Sequence, residues 1–62
     1  MAITVAQVEL LTAALECHQA KRDQLAAALR STYSLHERSE LLIAHAEACR
    51  CVAAFEAELA KA

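Results

Sequence analysis

The chain contains no glycine and no proline in 62 residues, no tryptophan, and only one tyrosine and one phenylalanine. Without glycine there is no residue that enters the left-handed backbone region at low cost, so tight β-hairpin turns and glycine-rich phosphate loops are excluded. Without proline no rigid helix breaker is present. Two aromatic rings are too few for a stacking platform on single-stranded bases. Six Lys and Arg against eight Asp and Glu give a net charge of −2, so no basic block can neutralise a run of phosphates, which disfavours nucleic acid as a partner.

Long apolar runs are also missing: none approaches the roughly 20 residues of a membrane span. The opening MAITVAQVELL carries Glu9 and Gln7 and no basic residue, unlike a secretory signal peptide. The expectation is a cytoplasmic chain with no membrane partner. Three cysteines, an odd number, fit reduced thiols better than a disulfide framework.

What is present is helix-forming. Ala, Leu, Glu, Gln, Lys and Arg dominate, and 58% of the residues are apolar. Thr4 followed by Gln7 has the spacing of a capping box, with Ile3 and Val8 as its hydrophobic staple, so a first helix is expected over about 5–29. Val8, Leu11, Leu15, His18, Arg22, Leu25 and Leu29 recur at alternating steps of three and four and mark one face. The stretch RSTYS over 30–34 is the only cluster of turn-prone hydroxyl residues, and Ser34 with Glu37 forms a second capping-box pattern. A second helix is therefore expected over about 35–60, with Arg38, Leu41, His45, Ala48, Val52, Phe55 and Leu59 along its face.

The two faces match as the halves of an antiparallel hairpin. Pairing Leu15 with Val52, Arg22 with His45 and Leu29 with Arg38, or Leu11 with Phe55, His18 with Ala48 and Leu25 with Leu41, gives position numbers that add to 66 or 67 every time. The fold class is thus all-α, an antiparallel two-helix hairpin forming a single domain over 1–62. A hairpin covers only one stripe per helix, and so much apolar sequence needs a second covering surface. Self-association into a homodimeric four-helix bundle is expected, with Leu10, Ala14, Cys17, Ala28, Leu42, Cys49 and Ala53 at the interface.

Chemistry-bearing residues are sparse. His45 and Cys49 are one helical turn apart, and the pairing brings Cys17 near Cys49, a conceivable zinc set. Isolated cysteines on the alanine side of a helix act as small buried hydrophobes, so the expectation is no metal, with Cys51 turned to the far side. His18, Arg22 and His45 form a polar belt in the apolar stripe. It is either a paired layer that fixes register or an anion pocket for a cyclic nucleotide. No nucleophile elbow or oxyanion-cradling glycine exists, so no enzymatic activity and no cofactor are expected.

The second helix, HERSELLIAHAEACRCVAAF, resembles the closing helix of small phage-encoded hairpin proteins that sequester cyclic-dinucleotide defence signals. Leu41, Ile43, His45 and Glu47 reproduce that family's rhythm. The segment SLHERS, 34–39, is similar to short phage anti-activators that bind quorum-sensing regulators and pilus motors, and the length and architecture resemble a plasmid copy-number regulator. These resemblances imply an anti-defence or inhibitor protein that stoichiometrically binds and inhibits or adapts a host protein in the host cytoplasm; a structural or chaperone-like four-helix-bundle module is the remaining alternative. The surface expected to carry this is the hairpin tip and the outer side of the second helix: Tyr33, Leu35, His36, Arg38 and Ile43.

Overall fold

The structure, a computed structural model, describes residues 3–61. It contains two helices, α1 (Val5–Ser31) and α2 (Leu35–Ala60), packed antiparallel into a hairpin 47 Å long and only 15 by 11 Å in section. No helix among the described residues is long and apolar enough to cross a membrane.

Local chemistry explains both helix starts. Thr4 Oγ1 accepts the Gln7 N–H at 3.1 Å while the Thr4 N–H donates to Gln7 Oε1 at 2.8 Å, which satisfies two otherwise orphan donors reciprocally. At α2 only the hydroxyl half of the corresponding box is made: Ser34 Oγ accepts the Glu37 N–H at 3.5 Å. The Glu37 side chain instead lines an open groove on the hairpin's flank.

The end of α1 departs from expectation by two residues, since Arg30 and Ser31 are helical rather than part of the turn. Lacking glycine, the chain ends the helix without a left-handed cap, and no described residue has positive φ. The last carbonyls are taken up by side chains. Thr32 Oγ1 donates to the Ala28 carbonyl at 2.7 Å, and the Ser31 hydroxyl lies 3.3 Å from the same oxygen. Arg38, reaching back from the first turn of α2, donates through Nη1 to the Leu29 carbonyl at 2.6 Å and the Thr32 carbonyl at 3.1 Å. A cation at the negative end of α1 adds a favourable dipole term. Arg38 is the device that closes the hairpin.

The predicted stripe faces inward throughout: every one of its fourteen members is half-buried or buried. Among the described residues only Ala48 and Val52 are buried, at 5% and 3% exposure, and no side chain is fully enclosed. Both lie in the middle of α2, where the seam is covered from both ends.

Arg38→Ala removes two charge-assisted hydrogen bonds to backbone carbonyls and should lower stability by about 2 kcal/mol. Urea unfolding followed by circular dichroism, at matched protein concentration, measures this. An unchanged midpoint would show that the tip closes without the guanidinium.

Candidate functional site

Helical phase and the hydrogen bonds divide the hairpin into two flanks and a tip. One flank is fixed by a groove of about 230 Å³ lined by His18, Lys21, Ala44, Glu47, Ala48 and Cys51. Beside it, towards the tip, a second groove of about 380 Å³ is lined by Glu37, Glu40, Leu41 and Ala44. At 100° per residue, Ala14 and Cys17 fall on the Lys21 side of α1, whereas Cys49 falls on the His45 side of α2, away from this groove. The expected neighbourhood of Cys17 and Cys49 is therefore replaced by a different one. Cys17, exposed, shares its flank with half-buried Cys51.

The cysteine and histidine set considered for zinc is accordingly not assembled. Cys49 Sγ lies 3.8 Å from His45 Nδ1, one turn away, and among the described residues no three His, Cys, Asp or Glu side chains gather where they could hold a metal ion. All three cysteines are free thiols.

Within the polar belt each side chain has a contact of its own. Arg22 Nε donates to Asp23 Oδ1 at 3.3 Å, on its own helix, rather than meeting His45. His18 lies in the groove and stacks on Phe55, with ring centroids 5.3 Å apart and planes 21° from parallel. Counting along the chain places Phe55 opposite Leu11 instead. The shift follows from side-chain direction: Cα–Cβ bonds tilt towards a helix's own N-terminus, so in an antiparallel pair His18 leans to the open end and Phe55 leans to the tip. They meet across roughly 10 Å of axial offset. By the same rule Arg22 and His45, level in sequence count, lean apart.

The tip half of the hairpin carries most of the exposed large apolar side chains. Tyr33 is 93% exposed and Leu35 82%, and Leu42 and Ile43 are also exposed. Of the six large apolar side chains exposed on the described chain, these four lie at the tip end, with only Val5 and Leu10 at the other. Leu35, Ser39, Leu42, Ile43 and Ala46 recur at helical spacing on the outer side of α2. Leu42, assigned from sequence to the dimer interface, is 53% exposed in the hairpin.

His36 is at the border of this surface, with Nε2 3.3 Å from Glu40 Oε1, an ion pair only when the imidazole is protonated. Arg38, grouped with these residues from sequence, is turned into the hairpin by its bonds to α1. No protein-family model, curated protein or solved structure matches the chain. The likeness to phage hairpins therefore rests on the quoted residues of α2.

A double-mutant cycle on His18→Ala and Phe55→Ala should give a coupling of about 1 kcal/mol, as expected for a stacked ring pair. The same cycle on Arg22→Ala and His45→Ala should give a coupling within error of zero. Chemical unfolding of the four variants in each cycle measures both, and the reverse ranking would contradict the geometry.

Proposed function

We propose that this chain is a non-enzymatic helical hairpin that dimerises into an antiparallel four-helix bundle and binds a host protein through its tip, inhibiting or adapting it. The observation that carries the reading is the exposed group Tyr33, Leu35, Leu42 and Ile43. Apolar side chains clustered on one surface of a small protein mark an interaction site more often than scattered ones do. Tyrosine is a favoured anchor at such interfaces, offering large contact area at low conformational cost. The guanidinium of Arg38 holds this surface in place by fixing the turn.

Dimerisation draws support from surface area. A compact monomer of 6.7 kDa exposes about 3,900 Å². The hairpin exposes 4654 Å², an excess of about 750 Å² over that value. A standard protein interface covers about 800 Å² on each partner. Sequestration of a cyclic nucleotide draws less support, because the groove lined by His18 and Lys21 includes neither Arg22 nor His45.

Affinity capture from a bacterial lysate tests the docking surface. Tyr33→Ala and Ile43→Glu should each reduce recovery of the bound protein at least tenfold while the helical dichroism stays unchanged. Calorimetric titration with cyclic dinucleotides should give no heat. Capture unaffected by both substitutions, or saturable nucleotide binding, would contradict the reading.

A further inference from the structure

Resting on the dimer reading above, we infer that the second copy packs on the grooved flank, with α1 of each hairpin against α2 of the other, and that Lys21 of one copy pairs with Glu47 of the second. The grooved flank is the better candidate because it is open. One cavity is lined from both helices, with the small side chains Ala44, Ala48 and Cys51 among its walls, and the other lies beside it along α2. On the opposite flank the Arg22 and Arg38 guanidinium groups are already engaged within the hairpin, with Asp23 and with the end of α1.

Charge selects between the two ways of laying one flank on another. Helical spacing puts Glu37, Glu40, Glu47 and Glu58 in a row along the α2 edge of the grooved flank, while the α1 edge carries Leu10, Ala14, Cys17, Lys21 and Ala28. A two-fold axis perpendicular to the helices would set α2 against α2 and oppose the glutamate rows, a costly arrangement. An axis parallel to the helices sets each glutamate row against the apolar edge of α1 and its one cation. Lys21 and Glu47 line a single groove, and in the hairpin register Glu47 sits only about 2 Å from level with Lys21, on the open-end side towards which Lys21 leans. Rotation about a parallel axis preserves height, which brings Lys21 of one copy to Glu47 of the other, twice in the dimer. Both hairpin tips then emerge at the same end, so the dimer displays two copies of the Tyr33 surface side by side. Leu10, exposed in the hairpin, is covered in this packing.

Charge reversal with mixing tests the arrangement. Lys21→Glu and Glu47→Lys each place like charges at both intermolecular contacts, so each variant alone should dimerise at least about tenfold more weakly than the native chain. In an equimolar mixture the first variant is acidic at both positions and the second is basic at both. Each of the two contacts in their heterodimer again joins opposite charges, so the mixture should recover the native dissociation constant. Analytical ultracentrifugation of the two variants and their mixture reads this directly. Pairing confined to one hairpin would leave the mixture as weak as its components, which overturns the inference. Native-strength dimers of both single variants would move the interface off this flank, overturning the inference while leaving dimerisation intact. A native chain that stays monomeric at high micromolar concentration would overturn the inference and the dimer reading together.

Discussion

The controlling constraint is that two helices lying side by side can hide only the strip along which they touch. Here that strip runs along a hairpin 47 Å long, is one side chain wide, and among the described residues buries only Ala48 and Val52. Everything else on the stripe is covered from one side and open to the other. Burying apolar surface is the main favourable term in folding, at about 25 cal/mol per Å². A chain that is 58% apolar and leaves this much of it uncovered has folded only part of its stabilising potential.

Helix ends and the turn respond to a second constraint, the missing glycine. Helices commonly stop with a glycine in the left-handed region, which lets the backbone recover its own unpaired carbonyls. This chain stops α1 in extended conformation at Thr32 and recovers the carbonyls with hydroxyl groups and Arg38. Because Arg38 belongs to α2, the bond that terminates one helix also orients the next. Closure of the turn and exposure of Tyr33 and Leu35 are therefore parts of one arrangement.

The hairpin and its inward faces were legible in the sequence because both depend on period and turn chemistry alone. Leu11, Leu15, Leu25, Leu41, Val52 and Leu59 declare a face by spacing, and RSTYS marks the only break. Side-chain direction was less legible. Level counting pairs Arg22 with His45, but the tilt of each Cβ towards its own N-terminus sends these two apart and brings His18 to Phe55. Arg38 reads as an interruption of an apolar stripe, or as a surface cation, until the end of α1 is placed opposite it. Cys17 and Cys49 read as neighbours for a different reason: position along the axis was counted, while the flank around it was not.

The same geometry links stability to binding. In the proposed dimer a second copy would take up the grooved flank and leave the tip and the outer side of α2 free, so the proposed self-association and partner docking would use different surfaces. The most direct measurement of this account is thermal unfolding of the native chain across a wide range of protein concentration, followed by circular dichroism. If folding and association are coupled, Tm rises steadily with concentration. A Tm independent of concentration, for a protein that light scattering shows to be a folded monomer, would contradict it.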